Sequence, residues 1–287
     1  MLDDAHHLEQ TNYTVNHLSL AALTNGQQSK PLLLCLHGWL DNAASFQPVI
    51  PYLSNYHVVA LDWPGHGQSS HRSIDAHYHF FDYVDDLYQL FQMNSWHDVH
   101  LVGHSMGGMI ASAFTAAFPE SVRSLTLIDS IGFITESASQ TTAQLRDGII
   151  SRHQSQSKQK PNHIELNAAI AARVAVSDLS FEHAKLIVER GIVATEQGFT
   201  WRSDSRLRTK SLYRLTEPQA MQLVQDISTP VQLIYGRQGM TLVQTGIARF
   251  QGYFTDITCH CLDGGHHVHM EQAQQTAQLI DAFIQGK

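Results

Sequence analysis

The sequence predicts an α/β protein with a mostly parallel, doubly wound sheet and an inserted helical segment. Short apolar runs typical of buried strands alternate with helix-like segments over most of the 287 residues. Between residues 131 and 217 no such run occurs, and the chain instead carries polar stretches and amphipathic helices. We therefore expect a core built from residues 1–130 and 218–287 and a helical cap formed by residues 131–217.

The order of the elements follows from their patterns. Continuous apolar runs indicate strands buried on both faces, whereas apolar residues that recur every three or four positions indicate helices. Strands are expected over residues 12–24, 31–36, 58–61, 99–102, 125–128, 231–235 and 256–262, with a short extended piece at 198–201. Helices are expected over residues 44–53, 80–92, 106–118, 167–176, 181–190 and 270–284, and in a segment ending near residue 250.

Composition limits the partners and the compartment. The net charge of −8, without a basic stripe, argues against nucleic acid as a partner. Residues 1–7 lack the basic and apolar regions of a secretory signal, and no apolar run is long enough to span a bilayer. The three cysteines, Cys35, Cys259 and Cys261, fit reduced thiols better than a disulfide framework. We expect a cytoplasmic protein with no membrane partner.

The pentapeptide Gly103-His104-Ser105-Met106-Gly107 is the most informative stretch of the chain. It has the pattern G-x-S-x-G and lies between a predicted strand and a predicted helix, which is the context in which this pattern carries a nucleophilic serine. Glycines on either side let the chain turn sharply, because they have no Cβ to clash. The turn would expose the Ser105 hydroxyl at the end of the strand.

Five chemically active side chains follow directly after predicted strands. They are His37, Asp62, Ser105, Asp129 and His266. The carboxyl ends of parallel strands meet at one edge of the sheet, where ligands bind in proteins of this class. We therefore expect these five residues to lie along the same edge.

Taken together, these segments resemble the α/β-hydrolase superfamily. The resemblance rests on the His37-Gly38-Trp39 turn, the glycine-rich loop at 62–67, the pentapeptide at 103–107 and the late Gly265-His266 pair, and it covers nearly the whole predicted core. Residues 131–217 match the position of the variable cap of the superfamily. Within it, the stretches at 37–42, 127–130 and 201–207 are most similar to serine hydrolase-like proteins, a subfamily without a well-defined substrate.

The resemblance implies a Ser–acid–His triad in that chain order. Ser105 is the expected nucleophile, and a serine hydroxyl needs a base within hydrogen-bond reach. The late sequence Gly265-His266-His267-Val268-His269 resembles the G-H-x-x-H ending of the superfamily, which favours His266 over His267 as the base. A metal site in this histidine-rich stretch is the alternative, but without a carboxylate partner it is not expected.

The acid of the triad departs from the usual pattern of the superfamily. Most superfamily members carry it after the strand that is residues 231–235 here, but the expected position is occupied by Gly239. Asp129 follows the strand next to the nucleophile strand, a position that some members use, and we assign the acid to it. Asp62 is a weaker alternative because its usual role is to hold the glycine-rich loop. Asp256 and Asp263 are weaker still.

The remaining site residues follow from the same resemblance. The backbone amides of Trp39 and Met106 are expected to form the oxyanion hole. The side chains of Trp39, His104 and Phe133 are expected to line the substrate pocket. Neither a metal nor a cofactor is expected.

The sequence therefore predicts a serine hydrolase that forms an acyl-enzyme on a small carboxylic ester or a related acyl substrate. Two alternatives remain open. One is hydrolytic cleavage of a C–C bond in a diketone-type substrate. The other is a non-catalytic ligand-binding member of the fold, which Gly239 favours and which the retained Ser105 and His266 oppose. The chain could be a monomer or a homodimer.

Overall fold

The computed structural model describes residues 8–155, 160 and 162–286. In this part of the chain, eight strands form one sheet in the order β1-β2-β4-β3-β5-β6-β10-β11. In this sheet, β4, β3, β5, β6, β10 and β11 run parallel. In contrast, β1 pairs antiparallel with β2, and β2 pairs antiparallel with β4. The predicted absence of a secretory signal concerns residues 1–7, which lie outside the described residues.

The bounds of the elements are as follows. The strands are β1 Glu9–Val15, β2 Leu18–Thr24, β3 Leu32–Leu36, β4 His57–Leu61, β5 Val99–His104, β6 Val122–Ile128, β7 Asn162–His163, β8 Ile192–Thr195, β9 Gly198–Trp201, β10 Val231–Gly236 and β11 Ile257–Leu262. The helices are α1 Phe80–Asn94, α2 Met106–Ala117, α3 Thr141–Ser155, α4 Leu166–Val174, α5 Phe181–Gly191, α6 Glu217–Gln225, α7 Thr241–Phe250, α8 Val268–Glu271 and α9 Ala273–Gln285.

The sheet is covered on both faces, as a doubly wound fold requires. Side chains that alternate along β3 separate the two layers: Leu34 and Leu36 pack with α1 and α2, whereas Leu33 and Cys35 pack with α9. Solvent is excluded from both layers, because these strand residues are buried. This explains why the central strands are apolar throughout rather than alternating.

The inserted region leaves the core after β6 and returns at α6. Its two ends are joined at the base, where Thr135 bridges Leu215 and the amide of Glu136 donates to the Leu215 carbonyl at 2.9 Å. The insertion has its own small apolar core, formed by α4, α5 and neighbouring side chains. Besides its helices, it contains an antiparallel sheet of order β7-β9-β8. The extended piece predicted at 198–201 is β9, and it pairs with β8. The sequence did not predict β8 as a separate strand, because it directly follows α5.

Three of the predicted segments take a different form from the expectation, and α3 and α6 were not predicted individually. The segment predicted as one strand over 12–24 is a hairpin, because the chain reverses at Asn16, which has a φ of 51°. The helix expected over 44–53 is two short 3₁₀ helices, with Pro51 in the second. The terminal helix begins as α8 and is interrupted at Gln272 before α9.

Among the described residues, no helix is both long enough and apolar enough to cross a bilayer.

Substitution of Gly107 tests the close approach on which the core depends. A Cβ at this position would lie 2.1 Å from the carbonyl oxygen of Leu36. We expect Gly107→Ala to lower the free energy of unfolding by about 3 kcal/mol, although alanine is usually favoured over glycine inside a helix. Denaturant unfolding would measure the change.

The matched control is Gly252→Ala, because a Cβ there would meet no atom within 4 Å. This variant should unfold within about 0.5 kcal/mol of the unsubstituted protein. Equal losses in the two variants would contradict the packing of α2 against β3.

Candidate active site

Ser105 lies in the sharp turn between β5 and α2. Its φ of 51° and ψ of −120° are unusual for a residue with a side chain, and such strain is typical of residues held in place for function. The turn is fixed by the Ser105 amide, which donates to the Ile128 carbonyl at 3.1 Å. The hydroxyl of Ser130 in turn donates to the Ser105 carbonyl at 2.8 Å.

The two glycines of the pentapeptide are required by the packing around this turn. A Cβ on Gly103 would lie 2.6 Å from the Gly107 carbonyl oxygen, and one on Gly107 would meet Leu36. Helix α2 can therefore start directly above β3 and β5. Its first amide, that of Met106, belongs to the helix-terminal N–H groups that have no partner within the helix.

Asp129 and His266 are in direct contact. Oδ2 of Asp129 lies 2.6 Å from Nδ1 of His266. The carboxylate is buried, and it also accepts hydrogen bonds from the amides of Gly236 at 3.2 Å and Met240 at 3.3 Å. The His266 ring and the amides of Gly236 and Met240 thus hold Asp129 in one orientation. Because Nδ1 of His266 faces the carboxylate, Nε2 of the same ring points away from it.

Asp129 fills the space beside His266 that a side chain at position 239 would enter. A Cβ on Gly239 would lie 2.4 Å from Oδ1 of Asp129. Any side chain at 239 would therefore overlap the carboxylate. A carboxylate at 129 and a glycine at 239 therefore belong to a single arrangement, because both positions approach the same space beside His266.

The other carboxylates considered in the sequence do not contact His266. Asp62 is buried and accepts from the amides of Ala43 and Gln68 at 2.7 and 2.8 Å, and it pairs with Arg190 at 2.9 Å. Asp263 is exposed and accepts from the Gln238 amide group at 2.8 Å. Asp256 precedes β11, at the opposite end of the strand from the His266 turn.

The turn after β3 brings a second backbone segment against Ser105. A Cβ on Gly38 would lie 3.0 Å from the Ser105 Cβ, so the backbone at Gly38 and Trp39 passes close to the serine. His37 holds this turn: Nδ1 lies 2.7 Å from the Gly38 carbonyl oxygen, and Nε2 accepts from the Trp63 amide at 3.0 Å. Burial lowers the pKa of His37 to about 4, which keeps the ring neutral and suited to donate once and accept once.

A narrow pocket opens beside Ser105 and His266. Its volume is about 50 Å³. Most of its wall is apolar and comes from α7 and from the segment after β6. The apolar lining residues are Met109, Ile131, Phe133, Ile134, Met240, Leu242, Val243 and Phe250.

Two of the three side chains assigned to the pocket lie elsewhere. Phe133 lines it, but Trp39 and His104 do not. The Trp39 ring is 50% exposed and its Nε1 donates to the Leu207 carbonyl in the insertion at 3.0 Å. His104 is fully buried behind the serine, and its Nε2 lies 2.9 Å from the carbonyl oxygen of His266. In place of these two, α7 forms the wall, because it begins at the end of β10 beside Asp129.

A second cluster of polar side chains lies on the other side of the His266 turn, and the sequence did not reveal it. Nδ1 of His267 lies 2.6 Å from Oδ1 of Asp178, and Nε2 lies 3.1 Å from Oδ2 of Asp41. Arg173 reaches the second oxygen of Asp41 at 2.5 Å. The adjacent histidines therefore face different ways, with His266 toward the pocket and His267 toward the insertion. Asp178 carries no signal in the sequence, because nothing there relates the insertion to the core.

This cluster includes a possible metal-ligand set. Among the described residues, one atom each of Asp41, His104 and His267 lies within 4.8 Å of the others. However, both ring nitrogens of His267 already contact carboxylates, and the charges of Asp41 and Asp178 are balanced by Arg173 and protonated His267. A divalent cation would displace the His267 proton and leave a buried net positive charge, which is unfavourable. That no metal binds here stays a prediction.

The sequence and the fold are similar to those of known proteins. A model of the α/β hydrolase fold matches residues 31–273. The serine hydrolase-like protein of Danio rerio is 30% identical over 264 residues, covering 88% of this chain and 81% of that protein.

Two solved structures extend the comparison. A hypothetical protein from Pseudomonas aeruginosa PAO1 has a TM-score of 0.91 at 35% identity, covering 96% of this chain and 99% of that one. A thioesterase domain from the curacin biosynthetic pathway has a TM-score of 0.86 at 25% identity, covering 96% and 100%. The predicted fold and the resemblance drawn from the sequence are confirmed. The chain belongs to the α/β-hydrolase family.

Proposed function

We propose that this protein is a serine hydrolase that cleaves a small carboxylic ester, or a related acyl substrate such as a thioester, through an acyl-enzyme. The single observation that carries the proposal is the 2.6 Å contact between Asp129 and His266 beside the strained Ser105 turn. A protein that only bound ligands would have no need for a buried acid directed at this histidine. The observation therefore weighs against the non-catalytic alternative.

The roles follow from the chemistry of the groups. Asp129 accepts a hydrogen bond from the Nδ1–H of His266, which leaves Nε2 free to take the proton of the Ser105 hydroxyl. The Ser105 oxygen attacks the acyl carbonyl, and the amides of Trp39 and Met106 stabilise the resulting oxyanion. His266 then gives its proton to the leaving alcohol or thiol. Water attacks the acyl-enzyme by the same steps in reverse order, which releases the acid and restores Ser105.

The pocket suggests the kind of acyl group. Its wall is mainly apolar, and its volume of about 50 Å³ leaves little room beyond the reacting carbonyl. Ile134, Met240 and Leu242 are 40%, 49% and 50% exposed, so its rim offers apolar surface to an incoming chain. These features favour a short, apolar acyl group. The names of two similar proteins, a serine hydrolase-like protein and a thioesterase domain, agree with acyl transfer to water.

The triad assignment can be tested with Ser105→Ala, His266→Ala and Asp129→Asn. We expect kcat/KM on a short-chain p-nitrophenyl ester to fall by about 10³-fold or more in the first two variants and by about 10²-fold or more in the third. Labelling of Ser105 by a fluorophosphonate probe should fall in parallel. Asp263→Asn is the control, because this exposed carboxylate lies in the same turn as His266 but has no role in the mechanism.

Nearly full activity in Asp129→Asn would refute the acid assignment. Loss of activity in the Asp263→Asn control would mean that the whole turn, rather than the acid, had been disturbed. If the unsubstituted protein neither turned over the ester nor reacted with the probe, the proposed function would fail.

The shared space beside His266 gives a second test. Asp129→Gly should abolish turnover without backbone strain, because the φ of 41° at this position suits glycine. Adding Gly239→Asp to that variant should restore kcat/KM by about tenfold or more, since the new carboxylate would enter the vacated space. Gly239→Asp alone should reduce activity, because it would collide with Asp129. No recovery in the double variant would show that a carboxylate at 239 cannot orient His266.

The acyl preference can be tested at Phe133. Replacing it with alanine removes a large ring from the pocket wall. We expect Phe133→Ala to move the optimum of a p-nitrophenyl ester series toward longer chains and to raise KM for the acetate ester. Phe118→Ala is a matched control, because this ring packs against Tyr88 away from the pocket. An unchanged chain-length profile in Phe133→Ala would contradict the proposed acyl site.

A further inference from the structure

His267 lies where three parts of the molecule meet. It follows His266 in the turn before α8, it contacts Asp41 in the segment that continues from Trp39, and it contacts Asp178 in the insertion between α4 and α5. The His267 side chain is only 5% exposed. The catalytic mechanism proposed above uses its neighbour and leaves this ring without a function.

We propose that His267 is a positioning residue, whose protonated ring joins Asp41 of the core to Asp178 of the insertion and thereby fixes the turn that carries His266. This inference rests on the proposed function, since it assigns His266 as the base. We call the three side chains of His267, Asp41 and Asp178 the clasp.

The hydrogen bonds define the charge of the ring. Both ring nitrogens approach carboxylate oxygens, at 2.6 Å for Asp178 and 3.1 Å for Asp41, so each nitrogen carries a proton that it donates. The backbone amide of His267 also donates to Asp178, at 3.2 Å. Two carboxylates are thereby balanced by one imidazolium and by Arg173, so the cluster, in which His267 and Asp41 are buried, has no net charge.

The protonation of the His267 ring depends on the titratable groups around it. Burial by itself would lower the pKa of His267, but Asp41 and Asp178 outweigh it and raise the pKa to about 9. Three further histidines face the ring, with ring centres at 5.0 Å for His104, 5.3 Å for His266 and 6.2 Å for His269. Burial lowers the pKa of His104 and of His269 well below the usual range, so these two rings stay neutral.

The turn itself is shaped to receive Asp178. A Cβ on Gly265 would lie 2.2 Å from Oδ2 of Asp178, so only glycine allows the carboxylate to approach. On its other side the Gly265 amide donates to Glu271 at 3.0 Å. The residue before His266 and the residue after it are thus both held, one by close packing and one by the clasp. A base held less firmly would spend less time in line with Ser105, and a misplacement of about 1 Å can reduce a rate by about 10²-fold.

The clasp stabilises the folded protein only over a limited pH range. The pKa of His267 is higher in the folded protein than its ordinary value of 6.5, so its stabilising effect is complete below about pH 6.5 and is lost as the pH rises to about 9. The difference in Tm between the unsubstituted protein and His267→Gln should therefore be largest at pH 6, at about 5 °C, and should become small above pH 9.5.

The experiment compares His267→Gln, Asp178→Asn and their double variant. We expect kcat to fall about 10- to 100-fold in His267→Gln, with a smaller change in KM, because the turn and not the pocket is disturbed. The double variant should be little worse than His267→Gln, since both substitutions break one clasp. Asp147→Asn is the control: it removes an exposed carboxylate from the insertion that pairs with Lys210 at 2.7 Å, and should change neither kcat nor the pH dependence of Tm.

The outcomes separate the two proposals. Additive losses in the double variant, an unchanged kcat in His267→Gln, or a Tm difference independent of pH would overturn the clasp. Because Tm does not require turnover, absence of esterase activity in the unsubstituted protein would instead count against the proposed function and, with it, against a positioning role for His267.

Discussion

The architecture of the site depends on the volume beside His266 that Asp129 occupies. The carboxylate reaches this volume from the end of β6, where the backbone at Asp129 adopts a left-handed φ of 41°. It is held there by His266 and by the amides of Gly236 and Met240. Because Gly239 must leave the space empty, the loop after β10 can fold close to β6 and pass directly into α7. The pocket wall formed by α7 is thus a consequence of where the Asp129 carboxylate lies.

A second constraint acts on the other side of the sheet edge. A Cβ on Gly38 would lie only 3.0 Å from the Ser105 Cβ, and the carbonyl oxygen of Leu36 leaves room only for glycine at 107. This packing brings two backbone segments, at Gly38 and at the start of α2, beside the Ser105 hydroxyl. Electrostatic stabilisation is most effective when its dipoles are fixed in advance. The strain at Ser105 is tolerated because the neighbouring strands determine its conformation.

Local pattern was sufficient for the fold and for the residues at the strand ends. The uninterrupted apolar runs of β3 to β6 indicated a parallel sheet, and parallel strands deliver Ser105, Asp129 and His266 to one edge. The sequence was less informative where partners are distant in the chain. The hairpin at Asn16 lacks a strong turn signal, and β8 follows α5 without a break.

The pocket illustrates the same limit in the site itself. His104 and Trp39 are close in sequence to groups assigned to the reaction. However, the side chain of His104 lies behind Ser105, and that of Trp39 points toward the insertion. Adjacent residues in a turn commonly face opposite ways, so proximity in sequence did not identify the lining. The contact between Asp178 and His267 joins residues 89 positions apart, and only the packing of the insertion on the core brings them together. How the triad residues act remains a proposal, although their placement agrees with it.

The overlap between positions 129 and 239 has an evolutionary consequence. Two carboxylates cannot occupy the same volume, so a lineage cannot move the acid of its triad by first adding the new one and then discarding the old one. The change would have to pass through a protein with no acid, or through compensating shifts of the β10 loop.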